Sequence, residues 1–195
     1  MSMETLLGYD IGSSSVKAGL LEVSTGKLIA SATSPKTEMK IAAKKSGWAE
    51  QEPELWWEHL KRATEMLEKE NPSGLSGVTA LGISYQMHGL VCLDASGAVL
   101  RPSIIWCDSR AVPYGEEAFK ALGEEYSLEH YLNSPGNFTA AKLAWVKDQE
   151  PKIFEKTATI MLPGDYIAYR LTGEKITTPS GLSEGILWDA KEEEP

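Results

Sequence analysis

The sequence predicts an α/β fold, and three observations carry the prediction. Three strand-like runs open the chain, Leu6–Ile11, Val16–Val23 and Lys27–Ser34, joined by short turns as in an antiparallel meander. A helical stretch starting at Pro53 then repeats Trp56, Leu60, Ala63 and Leu67 at i, i+4, i+7 and i+11, which makes one apolar face. Behind it lies Val78–Ser84, a further strand-like run reached after about 18 helical residues, the kind of connection that crosses over onto the same sheet.

Each element has its own signal. Leu6–Ile11 is apolar apart from Asp10, and Val16–Val23 apart from Lys17 and Glu22. Gly12 marks the first turn, and Ser24-Thr25-Gly26 the second. Residues 36–47, with Lys36, Lys40, Lys44 and Lys45, read as a solvated loop. Pro53 suits a first helical turn, Glu52 and Glu54 suit its dipole, and the helix should stop near Glu70, before Asn71-Pro72. Trp48 reads as a packing residue rather than a ligand platform. Val78–Ser84 is expected to be buried.

Farther on, Leu90–Asp94 and Val99–Leu100 form a hairpin around Ala95-Ser96-Gly97, and Ile104–Cys107 is a short buried strand. Pro113–Gly123 is helical and Tyr126–Leu132 weakly so, before Ser134-Pro135-Gly136-Asn137 breaks the chain. The helix Thr139–Gln149 turns Leu143, Trp145 and Val146 inward, and Pro151 begins another short turn. Thr159–Leu162 is a strand, Asp165 caps the helix Tyr166–Leu171, and Gly173 ends it. Thr177–Ser183 reads as a polar loop, Ile186-Leu187-Trp188 as a return to a sheet, and Lys191–Pro195 as a charged tail with nothing to pack.

Composition narrows the function. Of 195 residues, 42% are hydrophobic and 24% charged, as in an ordinary globular chain. A formal charge of −9 without a basic stripe argues against nucleic acid as the main partner. No apolar run approaches the roughly 18 residues of a membrane span, and the N-terminus lacks the pattern of a secretory signal, so a cytoplasmic location away from membranes is expected. Cys92 and Cys107 stand in apolar, strand-like contexts without C-x-x-C spacing and are expected to be buried thiols.

Chemistry concentrates at two strand ends. The turn Gly12-Ser13-Ser14-Ser15 offers closely spaced N–H groups and hydroxyls to phosphate oxygens, although the same residues suit an ordinary hairpin loop. Asp10 and Lys17 frame it: a carboxylate at a strand end can hold Mg²⁺, and a lysine can meet phosphate as a point charge. Neither a Walker loop nor a dinucleotide fingerprint is present. At the end of the fourth strand, Gln86 and His88 can each donate and accept hydrogen bonds, as a polyol requires, although a lone histidine there can equally be structural. Asp108 and Arg110 end the next strand and can simply pair with each other.

Taken in order, Gly8-Tyr9-Asp10-Ile11-Gly12-Ser13-Ser14-Ser15, Trp48-Ala49-Glu50-Gln51-Glu52-Pro53 with Trp56-Trp57, Gln86-Met87-His88-Gly89 and Trp106-Cys107-Asp108-Ser109-Arg110 resemble the N-terminal half of the FGGY sugar kinases, xylulokinases among them. Asn137-Phe138-Thr139-Ala140-Ala141-Lys142-Leu143-Ala144-Trp145, Leu162-Pro163-Gly164-Asp165-Tyr166 and Leu171-Thr172-Gly173-Glu174 extend the match over nearly the whole chain. The resemblance implies a ribonuclease H-like and actin-like ATPase fold, with a mixed sheet, three antiparallel N-terminal strands and flanking helices. It implies ATP and Mg²⁺ as cofactors, with Asp10 as a catalytic and metal-facing residue and Gly12, Ser13, Ser14, Ser15 and Lys17 facing the phosphates. It places Gln86, Met87, His88 and Asn137 in the sugar pocket. Glycerol kinases carry Arg-Glu where Met87-His88 stands, so the resemblance favours D-xylulose, with D-xylulose 5-phosphate as product; another ketose or a pentitol is the alternative.

In that family the general base is an aspartate expected beyond residue 195, and the adenine pocket belongs mainly to a C-terminal domain. Residues 1–195 are therefore expected to be an N-terminal domain truncated before that base, without the ATP-binding C-terminal domain and inactive alone, from a parent protein that forms a homodimer. Asp165 and Asp189 are poor substitutes for the base, one reading as a helix cap and the other as a loop residue. Two competing readings are a sugar-binding module without catalysis and an actin-like structural protein.

Overall fold

In the computed structural model of the chain, which describes residues 3–195, β1 (Thr5–Ile11), β2 (Val16–Glu22) and β3 (Lys27–Ser34) form the expected antiparallel meander. Met1 and Ser2 lie outside the described residues, so the reading of the extreme N-terminus rests on sequence alone. The chain divides into two units, one of residues up to 40 together with 54–86, the other of residues 41–53 and 87–195.

In the first unit, β5 (Val78–Tyr85) lies parallel to β1, giving a mixed sheet of order β3-β2-β1-β5. Period-2 alternation puts Thr5, Leu7, Tyr9 and Ile11 on the buried side of β1. The helix α1 (Pro53–Glu70) turns Trp56, Leu60, Ala63 and Leu67 inward as its spacing predicts, all almost fully buried. Burying each large side chain there contributes about 1.5–3 kcal/mol. Two polar contacts fix the seat of the helix: the Tyr9 and Thr64 hydroxyls lie 2.6 Å apart, and Ser34 Oγ lies 2.9 Å from His59 Nδ1. A short helix α2 (Pro72–Ser76) follows, capped by Asn71, whose side chain accepts from the Gly74 N–H at 2.9 Å.

The expectation of a buried fourth strand is corrected. β5 is a strand, but Thr79 to Gly82 and Ser84 are exposed, because β5 is hydrogen-bonded to β1 alone and stands at the sheet edge. An apolar run reports hydrophobicity, not how many neighbours a strand has.

The second unit pairs β4 (Glu50–Gln51) with β7 (Ser103–Ile104), and β6 (Val91–Leu93) with β8 (Thr159–Met161), both antiparallel. Around them lie α3 (Val112–Leu122), α4 (Glu124–Tyr131), α5 (Thr139–Gln149), α6 (Pro151–Lys156), α7 (Pro163–Thr172) and α8 (Pro179–Glu184). Leu90, Cys92, Ile104, Ala111, Ala141, Trp145 and Val146 form one apolar cluster. Beside it sits a buried ion network. Glu50 Oε1 accepts from Arg101 at 2.6 Å and from Arg110 at 2.8 Å, and Arg110 pairs with Asp108 at 2.6 Å. The Arg110 guanidinium lies 3.7 Å from the Trp48 ring centre and 4.8 Å from that of Trp145, so Trp48 is a packing residue and Asp108-Arg110 is an internal pair.

Three further expectations are corrected. Cys107 is exposed, as is Trp106, because β7 ends at Ile104 and the chain turns outward. Residues 177–183 are not a loop throughout: Thr178 caps α8 by accepting from the Gly181 N–H at 3.0 Å, with Pro179 in the first turn. Ile186-Leu187-Trp188 joins no sheet among the described residues, and Ile186 turns the chain at φ 57°. The charged tail packs against nothing, as expected: residues 191–195 are all exposed, with a local bridge between Asp189 and Glu194 and a surface pair of Lys191 with Glu129 at 2.8 Å. No helix of the described residues is long and apolar enough to cross a membrane.

Candidate active site

The turn Gly12–Ser15, expected to face phosphate, belongs to the first unit. Asp10 and Lys17 are direct cross-strand partners on β1 and β2, and Lys17 Nζ lies 3.0 Å from Asp10 Oδ2. The side chains remain 46% and 62% exposed, so the pair contributes at most about 1 kcal/mol and either member can be drawn to another ion. The Gly12 N–H donates to the Ser15 carbonyl at 3.0 Å, which closes the turn with Ser13 and Ser14 at its tip. This amends the part assigned to Gly12: its amide holds the turn, and its lack of a side chain matters, since a Cβ would stand 3.0 Å from the Ser15 oxygen. The Met39 N–H donates to the Ser14 carbonyl at 2.8 Å, tying the following loop to the same turn. Gln86 belongs to this unit too, its N–H donating to the Ile11 carbonyl at 2.8 Å, which sets it beside the end of β1.

Met87, His88 and Asn137 lie in the second unit. Met87 is 54% exposed and offers an apolar, polarisable surface. His88 adopts a left-handed backbone, φ 59°, a conformation that costs a non-glycine residue about 1–3 kcal/mol unless its surroundings impose it. They do impose it. The His88 N–H donates to Glu184, whose Oε1 also lies 3.2 Å from Nδ1, the His88 carbonyl accepts from Lys142 Nζ at 2.6 Å, and the ring meets Phe138 edge-on at 4.3 Å. The contact to Nδ1 lies off the line of a good hydrogen bond, so the backbone N–H is the firmer tie to Glu184.

Asn137 is fixed from both ends: its side-chain amide donates to the Asp108 carbonyl, and its own carbonyl accepts from Lys142 Nζ at 2.9 Å. Its Oδ1 is buried without a hydrogen-bond partner among the described residues. Such an unsatisfied acceptor costs about 1–3 kcal/mol, a penalty that a ligand hydroxyl would relieve.

Two residues of this cluster were not legible as site residues. Lys142 sits on α5 with no exposed surface, in the inward place expected for the half-buried Leu143. Burial draws its pKa down to about 8, against the opposing charges of Asp108, Glu184 and Cys107. Glu184 ends α8, whose residues 179–183 fall in the stretch expected to be a polar loop. The local signal for the helix is Thr178-Pro179, a cap followed by a first-turn proline.

Asp165 and Asp189 are engaged elsewhere. Asp165 is not the N-cap expected of it: α7 starts at Pro163, and Asp165 in its first turn reaches back to accept from the Leu162 N–H at 3.4 Å and from Thr177 at 3.0 Å, while burial raises its pKa. Asp189 lies 2.7 Å from His130 Nδ1. No cluster of three or more His, Cys, Asp or Glu that could hold a metal occurs among the described residues. A single exposed carboxylate such as Asp10 fits a Mg²⁺ ion that brings water and phosphate oxygens as its other ligands.

Residues 5–194 match the model of the FGGY family of carbohydrate kinases, N-terminal domain. The chain is 37% identical over 182 residues to a xylulose kinase of Escherichia coli (strain K12), a match covering 93% of the chain and 36% of the relative. It is 35% identical to a xylulose kinase of Staphylococcus xylosus, covering 98% and 38%. The crystal structure of xylulose kinase from Rhodospirillum rubrum superposes with a TM-score of 0.85 at 29% identity, over 97% of this chain and 38% of that one. Plasmodium falciparum glycerol kinase with ADP gives the same TM-score at 20% identity, over 98% of this chain and 39% of that one, a likeness of fold alone. The fold is that of the actin-like ATPases, and the chain spans little more than a third of the length of these relatives. The matched span, the mixed sheet with its three-stranded antiparallel edge and the order of the motifs agree: the chain belongs to the FGGY family of carbohydrate kinases, as its N-terminal domain.

Proposed function

We propose that the chain is the sugar- and phosphate-binding part of a kinase that transfers the γ-phosphate of ATP to D-xylulose, giving D-xylulose 5-phosphate. The observation that carries the choice of sugar is the anchored Met87-His88 pair, with His88 tied through its N–H to Glu184 and through its carbonyl to Lys142. Two such anchors fix where the imidazole points before any ligand arrives, and a fixed donor-acceptor ring suits a ketose hydroxyl pattern.

Phosphoryl transfer asks a protein mainly for positioning and for neutralisation of charge. Lys17 and the turn from Gly12 to Ser15 receive phosphate oxygens, and Asp10, once Lys17 has turned to phosphate, faces the metal. The Mg²⁺ that accompanies ATP supplies charge neutralisation at the phosphates. Met87, His88 and Asn137, all of the second unit, hold the sugar. The general base is assigned outside these 195 residues, because Asp165 and Asp189 are held by other partners.

His88→Ala and Met87→Ala, made in the reading frame that encodes the chain, test the pocket. The expected result is a rise of tenfold or more in KM for D-xylulose with KM for ATP within twofold. An unchanged KM for the sugar in both variants would remove these residues from the pocket.

A further inference from the structure

Lys142 has no exposed surface, and its ammonium donates to two backbone carbonyls, those of His88 and Asn137. Burying a lysine head is unfavourable unless its N–H groups are matched, and an apolar side chain of similar length would fill the same space without that penalty. The two carbonyls belong to segments far apart in sequence. One holds a histidine in a left-handed conformation, and the other follows Gly136, at φ 39°, at the start of α5. Neither segment has regular secondary structure to fix its carbonyl direction.

We propose that Lys142 is a positioning residue for sugar recognition: by clamping the carbonyls of His88 and Asn137 it sets the spacing between the imidazole and the amide that face the sugar. The inference rests on the sugar pocket assigned above.

The clamp has a pH signature. Burial holds the Lys142 pKa at about 8, with Asp108, Glu184 and Cys107 favouring the charged form and Arg110 opposing it. Above that pH the neutral amine keeps two N–H donors but loses the charge that strengthens both hydrogen bonds, so the clamp and with it sugar recognition weaken. Stability moves the other way. A cation whose folded pKa lies below its ordinary 10.5 penalises folding fully below about pH 8, and the penalty is relieved as pH rises from there. A lysine that served the fold alone would show the gain in stability without the loss in sugar affinity.

The test is Lys142→Met, which keeps the stem and removes the donors. In hydrogen exchange on the 195-residue chain, amides of residues 87–90 and 136–139 should exchange tenfold or more faster, with the β1–β2–β3 meander unchanged. In the longer reading frame, KM for D-xylulose should rise at least tenfold with KM for ATP within twofold. Unchanged exchange in both segments, or a loss confined to kcat, overturns the proposal. If the variant does not fold, the wild-type profile decides: KM for D-xylulose should rise severalfold from pH 7 to pH 9, and a flat profile overturns the clamp. If the wild type phosphorylates no sugar, the pocket assignment fails, and the exchange result alone decides whether Lys142 holds the two segments.

Discussion

Asp108→Ala is the most informative perturbation of the second unit. Asp108 is fully buried; its carboxylate accepts from the Ala49 N–H at 2.5 Å, from Arg110 Nε at 2.9 Å and from Arg110 Nη2 at 2.6 Å. Removing one partner of a buried pair costs about 3–5 kcal/mol, because the other charge is left in a poor solvent. The orphaned Ala49 N–H would add about 1–3 kcal/mol. Glu50, 2.8 Å from Arg110, offsets part of the first of these costs, so a net loss of about 3–5 kcal/mol is expected. For a chain of this size that is a fall in Tm of roughly 6–20 °C by calorimetry. The denaturant midpoint should fall with an unchanged slope. The double variant Asp108→Ala/Arg110→Met should be less destabilised than the sum of the two single variants, because it leaves no unpaired guanidinium. A fall in Tm below about 2 °C for Asp108→Ala would refute the reasoning.

Other outcomes follow from the same geometry. Burial alone would raise the pKa of Glu50, but the charges of Arg101 and Arg110 and hydrogen bonds from Arg110 and Lys44 hold it below its ordinary 4.5. Its contribution is therefore present above that pH and lost on acidification through the lower folded value, and Glu50→Gln should flatten the acid limb of a stability-pH curve. Gly115→Ala would drive a Cβ into the Gly136 carbonyl oxygen, so α3 or the loop that carries Asn137 must shift. A loss of about 1–3 kcal/mol is expected by denaturant titration. Asp10→Asn should lower sugar-dependent turnover of the longer reading frame at least a hundredfold and leave stability within about 1 kcal/mol, since its ion pair is exposed. Wild-type turnover in that variant would remove Asp10 from the chemistry.

Much of the fold was legible because its signals are local. Alternation around Asp10 and Lys17, the turn at Gly12 and the i, i+4 spacing from Trp56 each depend on near neighbours, and each element stands where those signals put it. What depends on distant partners was not. The exposure of β5 follows from its edge position, which no run of residues encodes. Nothing local in the sequence marks Lys142 as buried, and its burial makes sense only once the His88 and Asn137 carbonyls are beside it. Glu184 was hidden by composition, since Thr-Pro-Ser-Gly suits a loop as well as a capped helix start. The family motifs singled out Asp10, Gln86 and His88 as candidate residues; the residues that anchor His88 came from the structure.

The most direct test of the central claim is sugar-dependent ADP release, run in parallel on the 195-residue chain and on the longest reading frame that contains it, with D-xylulose, ribulose, xylitol and glycerol. Turnover with D-xylulose ahead of the other sugars, by the longer form only, is the expected result. Release of ADP with glycerol but not D-xylulose would contradict the assignment of the Met87-His88 pocket, and no release with any sugar by either form would leave a sugar-binding module in place of a kinase.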